Sequence, residues 1–263
     1  ELQQIDHEDA RGQYEINYKF DDALAAADRY MLFKMTAHAL AEKHGAVFSC
    51  MPKPFADAPG SGLHFHLSIT NARGEAIFSN ATDPLQISPA GYAFVAGLLH
   101  HADALCALCA PTVNSYKRLA CSHSASGTTW APVWKAFGDN NRTCLVRTVA
   151  GRLELRLPDP SCNVYAAIAA TLAAGLHGIE SDLIAPPACD EDLYECFALG
   201  EQMPGRLPAD LGQAVNALAR DEVLCQAIGP GFCHQFMALK RLEWDRYNQT
   251  VSQWELQSYA DVF

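Results

Sequence analysis

The sequence predicts an α+β fold on three observations. Short stretches of apolar–polar alternation recur through residues 13–157, long Ala- and Leu-rich runs lie between them, and everything after Pro160 reads as helix. From Gln13 to Phe20, Tyr14, Ile16, Tyr18 and Phe20 share one face and Gln13, Glu15, Asn17 and Lys19 the other, the pattern of a strand. Asp21 and Asp22 then stand where they can cap a helix over Ala23–Lys43, with Gly45 as a left-handed stop. Turn residues Pro59, Gly60, Ser61 and Gly62 precede a second strand, Leu63–Ser68, whose polar face carries His64, His66 and Ser68. A helical region over Pro89–Leu108 is followed by a loop-rich stretch from Pro111 to Asn141. Gly151–Pro158 is the clearest alternation in the chain, with Arg152, Glu154 and Arg156 on one side and Leu153, Leu155 and Leu157 on the other. Beyond it come an Ala-rich helix over Tyr165–Ile179 and amphipathic helical stretches at Leu211–Leu218 and Phe236–Tyr247.

Composition narrows the function classes. With 263 residues, 49% of them hydrophobic and 19% charged, the chain can bury a sizeable core. The formal net charge of −11 argues against a protein whose whole surface grips nucleic acid, because that binding neutralises phosphates with Lys and Arg. The longest nearly unbroken apolar run, Val164–Leu176, is too short to span a bilayer, so no membrane partner is expected. Ten cysteines lie scattered among Ala, Leu and Phe without a signal-peptide pattern before them, which fits reduced thiols and a cytoplasmic location. Cys106 and Cys109 share a helix face, and no second pair with zinc-ligand spacing follows; packing is the expected role there and at Cys50, Cys144 and Cys162.

Three strands thus carry ionisable rows: Glu15, His64 with His66, and Arg152 with Glu154 and Arg156. Packed side by side, such faces would line a cavity whose carboxylates and imidazole suit hard divalent cations, Mg²⁺ or Mn²⁺, with Glu8 as a further carboxylate. The alternative is that these are ordinary solvent-facing strand residues. Local charge favours a site: between Lys117 and Arg156 stand seven basic residues against only Asp139 and Glu154. Five of the seven are Arg, whose planar fork matches phosphate and carboxylate. No GxxxxGK[ST] phosphate loop is present, and Gly60-Ser61-Gly62 is too short for a dinucleotide fingerprint.

Several spaced motifs stand in a familiar order. They are His7-Glu8 through Gln13-Tyr14-Glu15, Met51-Pro52-Lys53-Pro54-Phe55, Gly60 through His64-Phe65-His66-Leu67-Ser68, Lys117-Arg118-Leu119, Asn141-Arg142, Arg152 through Asp159, and Asn163-Val164-Tyr165. In this arrangement the chain resembles the catalytic domain of the glutamine synthetase family, from about His7 to Tyr259. The resemblance implies a largely antiparallel curved sheet lining the active site, helices packed outside it and a helical C-terminus. It also implies a domain over residues 1–263 that is incomplete at its N-terminal end. A β-grasp domain and a strand with further Glu metal ligands would be missing from this chain, leaving the metal site incomplete and the piece inactive alone.

Residue by residue, Glu8 and Glu15 resemble ligands of one divalent ion, and His64 and Glu154 ligands of a second. His66 and Ser68 would face ATP, with Arg147 and Arg152 holding its phosphates. Arg118 and Arg156 would clamp the carboxylates of L-glutamate, with Gly60 contacting it through the backbone, and Arg142 would stabilise the phosphoryl group in transfer. The implied reaction phosphorylates the γ-carboxylate of glutamate with ATP, after which an amine displaces phosphate. Family members form stacked rings, so a homo-oligomer, a dodecamer at full length, is expected.

The chain departs from the family pattern at two places, the first bearing on the amine and the second on the glutamate contact. Glutamine-forming members continue Lys-Arg-Leu with Val-Pro-Gly-Tyr-Glu, whose Glu serves the ammonium site, whereas this chain reads Ala120 through Gly127 with no acid. The stretch Ser126–Pro132 together with Gly151–Asn163 is most similar to the type III, GlnT-like branch that includes γ-glutamylmethylamide synthetases. Methylamine or another small primary amine is therefore favoured over ammonia, with a true glutamine synthetase and a non-catalytic relative as the competing readings. The second departure is Pro59, where an Asn usually precedes the glutamate-binding glycine.

Overall fold

The computed structural model describes residues 2–120, 123–124 and 127–263, and the side chains of 121–128 lie outside this description. Most of the acid-free stretch from Ala120 to Gly127, and with it the amine-side departure, therefore falls outside the described residues. The fold is α+β. Strand β1 (Leu2–His7) pairs antiparallel with β2 (Tyr14–Tyr18) as a separate hairpin. The central sheet has the order β3 (Phe65–Leu67), β8 (Arg152–Leu155), β7 (Cys144–Val149), β6 (Trp134–Asp139). Its first two pairings are antiparallel and β6–β7 is parallel. A short third pair, β4 (His123–Ser124) with β5 (Gly127–Thr128), completes the strands described.

Helices cover one side of this sheet. Helix α1 (Ala23–Lys43) begins at Asp22, but the Asp22 side chain makes no capping bond; Asp21 instead accepts from the Asp22 N–H and pairs with Arg29. The helix ends at His44, and Gly45 follows at a φ of 66°. The helical region from Pro89 divides into α2 (Pro89–His100) and α3 (Ala102–Cys109), bent by 74° at His101. Tertiary ties explain the bend: buried His101 bonds Asp221 through Nδ1 at 2.6 Å and His177 through Nε2 at 2.9 Å. Helix α2 packs on α5 (Val164–Glu180) so closely that a Cβ on Gly97 would meet the Ala174 carbonyl at 2.1 Å. After α6 (Leu193–Ala198), helices α7 (Leu211–Leu218), α8 (Glu222–Ile228), α9 (Pro230–Asn248) and α10 (Gln253–Tyr259) complete the C-terminal half. No single helix among the described residues is long and apolar enough to cross a membrane.

A main core joins the sheet to helices α2, α3, α5 and α7, and two smaller apolar clusters lie around Trp134 and under α1. Leu153, Leu155 and Leu157 are fully buried against Phe94, Leu98, Leu105 and Leu145, as the alternation requires. Each such burial is worth about 1.5–3 kcal/mol. The stretch expected to be loop-rich, Pro111–Asn141, departs from expectation: it holds the short helix α4 (Ser115–Arg118) and the buried strand β6. Strand β6 has no readable alternation because Trp134, Ala136, Phe137 and Gly138 are all buried. The hairpin shows the opposite departure. Tyr14 is 62% and Phe20 85% exposed, so the apolar face of Gln13–Phe20 is not a core face here. Cys106, Cys109, Cys144 and Cys162 are buried, and the nine cysteines described are free thiols.

Candidate active site

The site grows from one register. His66 on β3 lies opposite Glu154 on β8, which lies opposite Arg147 on β7, so a single cross-strand row carries an imidazole, a carboxylate and a guanidinium. Because alternate residues share a strand face, Arg156 joins the row two positions beyond Glu154. Glu154 is 2% exposed, which excludes the solvent-facing alternative for this residue. It receives Arg147 Nη1 on Oε2 at 2.8 Å and Arg156 Nη1 on Oε1 at 2.6 Å. His64 Nδ1 lies 3.2 Å from the same Oε1. Burial alone would raise the Glu154 carboxyl; the His64 contact and the two arginines overcome it and hold the group far below the carboxylate range. Burial, with Arg156 and Arg118 nearby and against the pull of Glu154, presses His64 down to about 4, which favours the neutral imidazole that metal ligation requires.

Beneath this row runs the Gly60–Gly62 turn. A Cβ on Gly62 would lie 2.7 Å from His64 Nε2 and 2.9 Å from Arg118 Nη2; one on Gly60 would lie 2.6 Å from the Pro52 carbonyl. Small residues are therefore required for the turn to pass under the ionic row. Arg118, 5% exposed, donates from Nη1 to Leu157 O at 2.8 Å and from Nη2 to Arg156 O at 2.9 Å. Its guanidinium thus clamps the main chain that follows β8, and burial lowers its pKa to about 10. Sequence reasoning gave no sign of this backbone role.

The hairpin closes one side. Gln13 Nε2 donates to Gly60 O at 3.0 Å, tying the β1–β2 turn to the glycine turn. Glu8 and Glu15 share a hydrogen bond: burial and Glu15 raise the Glu8 carboxyl, while Glu15, although burial opposes it, is lowered by Asn17, Glu8 and His64. Half-buried Glu8 and exposed Glu15, in contact, are a repulsive pair that a bound cation would relieve. The four candidate ligands thus fall into two pairs, Glu8 with Glu15 and His64 with Glu154, and both pairs fit a hard divalent ion by donor chemistry. Among the described residues no group of three or more His, Cys, Asp or Glu converges as a metal cluster.

The remaining candidates sit around the rim. His66 and Ser68 are exposed, as are Arg152 at the start of β8 and Arg142 in the β6–β7 turn. Arg142 stacks over the Trp130 ring, with Cζ 5.4 Å from the centroid. Arg147 is also held by the Asn140 side chain, which accepts from both Nε and Nη2. Arg156 is 6% exposed, and its Nε–H has no acceptor among the described residues. A buried guanidinium donor without a protein acceptor in an arginine-rich row has the chemistry to receive an anion. Sequence reasoning did not single out Asn140, and it gave no individual role to Trp130 or to Lys53, whose ammonium bonds Ala58 O at 2.5 Å; positive φ at Asn140 and Trp130 is invisible in composition.

An α+β domain with paired carboxylates beside an arginine row has the donor chemistry suited to phosphoryl or carboxylate groups. The chain belongs to the glutamine synthetase family: residues 1–259 match the family model of the glutamine synthetase catalytic domain. It is 47% identical to the glutamate–methylamine ligase of Methyloversatilis universalis, over all of this chain and 60% of that protein. With the glutamine synthetase of Halobacterium salinarum it shares 42% identity, over all of this chain and 58% of that one. Among solved structures, a GmaS–ADP complex superposes with a TM-score of 0.92 at 44% identity, covering 99% of this chain and 60% of that chain. Ligand-free GmaS gives 0.89 at 43% identity, over 99% and 59%. The chain therefore spans about 60% of the length of the relatives it matches.

Proposed function

We propose that the full-length protein is an ATP-dependent ligase that joins a small primary amine, methylamine, to the γ-carboxylate of L-glutamate. The observation that carries this reading is the open, buried Nε–H of Arg156 beside Glu154 and Arg147, a preformed anion seat in a family of glutamate-dependent ligases. Arg156 and Arg118 would take the carboxylates of glutamate at the Gly60 turn. Arg147 and Arg152 would hold the ATP phosphates, with His66 and Ser68 facing the nucleotide. Arg142 would neutralise charge on the phosphoryl group as it moves to the γ-carboxylate. Glu8, Glu15, His64 and Glu154 are the residues that would hold Mg²⁺ or Mn²⁺; such ions, when bound, neutralise phosphate oxygens. In the second half-reaction the amine nitrogen attacks the acyl carbon, the bond to the phosphate oxygen breaks, inorganic phosphate leaves, and the amine gives up a proton.

Methylamine is favoured over ammonium on two grounds. No Asp or Glu occurs between Leu119 and Asp139, so this segment offers no carboxylate to a small ammonium ion, and the 47% identical relative is a glutamate–methylamine ligase. Large exposed side chains at Phe20, Trp254 and Phe263 are consistent with a homo-oligomer, and the free thiols with a reducing cytoplasm. The test is phosphate release by the full-length protein with ATP, Mg²⁺ and glutamate, comparing methylamine, ammonium, ethanolamine and putrescine. Methylamine should support the fastest release. A preference for ammonium would assign a glutamine synthetase instead, and no amine-dependent release would leave a non-catalytic relative.

A further inference from the structure

Trp130 occupies a backbone conformation that its side chain disfavours. Its φ is 51°, in the left-handed region where glycine is the usual occupant and a bulky residue is strained. Core packing does not account for it, since the residue is 42% exposed. Two contacts do. The indole face lies 5.4 Å from Arg142 Cζ, and the Trp130 carbonyl accepts from Arg156 Nη2 at 3.4 Å. One residue thus touches both the arginine assigned to the moving phosphoryl group and the arginine assigned to the glutamate carboxylate. Arg142 stands on an exposed turn, where a long side chain samples many rotamers. A planar guanidinium laid on an aromatic face loses that freedom before substrate arrives.

We propose that Trp130 is a positioning residue for phosphoryl transfer: its ring seats the Arg142 guanidinium at the site while its carbonyl orients Arg156. This inference rests on the ligase reading above. The strain at φ 51° places the ring over the site rather than in the core, and any residue there keeps the carbonyl. Removing the ring therefore separates the seat of Arg142 from the anchor of Arg156.

The experiment compares the full-length wild type with Trp130→Gly, Trp130→Leu and Trp130→Phe, in steady-state phosphate release with ATP, glutamate and methylamine and in thermal unfolding. The Gly and Leu variants should lose about tenfold in kcat with KM for ATP changed less than about twofold, and Phe should recover to within about threefold. Trp130→Gly should also keep or raise the thermal midpoint, because glycine relieves the strained φ. Gly and Leu variants with wild-type kcat overturn the proposal, as does a loss in Phe equal to that in Leu or a loss that follows the thermal midpoint in all three. A wild type with no amine-dependent release contradicts the ligase reading and this proposal together, whereas an active wild type with unaffected variants contradicts the role of Trp130 alone.

Discussion

Glu154 and Arg156, two positions apart on one strand face, are joined by a 2.6 Å bond from Nη1 to Oε1, and both are almost completely buried. With Arg147 on the other carboxylate oxygen, Glu154 is the single counter-charge described for two guanidinium groups. Removing it leaves those charges buried without a partner. Glu154→Ala should therefore cost about 3–5 kcal/mol of stability, and Glu154→Gln, which keeps an acceptor, less. Denaturant unfolding of both variants checks this; an alanine variant within about 1 kcal/mol of wild type would mean water already compensates the arginines.

Arg142 stands apart from that buried network. Arg142→Ala should abolish turnover, by about a hundredfold or more, while ATP binding stays near wild type and stability moves by less than about 0.5 kcal/mol. Isothermal titration with a non-hydrolysable ATP analogue, alongside turnover, separates the two effects. Near-normal turnover would remove Arg142 from phosphoryl transfer.

The glycine turn makes a sharper steric test. Gly62→Ala would place a Cβ 2.7 Å from His64 Nε2 and 2.9 Å from Arg118 Nη2. His64 must then shift, and Mn²⁺ should bind about tenfold more weakly, measured by titration on the full-length protein. Gly231→Ala, inside helix α9 where a Cβ meets nothing within 4 Å, is the control: it should leave Mn²⁺ binding unchanged and raise stability by about 0.4–1 kcal/mol.

These effects were unequally legible in the sequence. Glu154 and its leucine neighbours stood out because β8 separates charged and apolar residues cleanly, and the partition survives folding even though both faces are covered. Strands β6 and β7 did not stand out: with Phe137, Cys144, Leu145 and Val146 all buried, neither has a polar face to give alternation. The break at His101 was hidden for another reason, since its cause is a contact with Asp221 on a distant segment. The identities of Arg118, Arg147 and Arg156 marked an anion site, but only strand register shows which of them meets Glu154 and which clamps the backbone.

That distant contact carries a pH signature away from the site. Burial alone would raise the Asp221 carboxyl, but the His101 bond and the Leu224 N–H hold it below its ordinary value of 3.8. A carboxyl lowered in the folded state stabilises the protein above its unfolded pKa, and the stabilisation is lost as pH falls through the folded one. Asp221→Asn should thus cost about 1.5–3 kcal/mol at pH 7. The gap from wild type should close as the pH falls from 3.8 through the lower folded value. Urea midpoints of the two proteins across that range measure it, and a gap independent of pH would show that packing, not charge, holds α3 to α8.

In the proposed reaction glutamate is activated as an acyl phosphate before the amine attacks. In that chemistry a γ-carboxylate oxygen bonds the γ-phosphorus of ATP and departs with phosphate when the amine forms the amide. Full-length protein turning over ATP, methylamine and glutamate labelled with ¹⁸O in its γ-carboxylate should release phosphate carrying one ¹⁸O per amide formed, read by mass spectrometry. Amide formed with unlabelled phosphate would rule out the acyl-phosphate route.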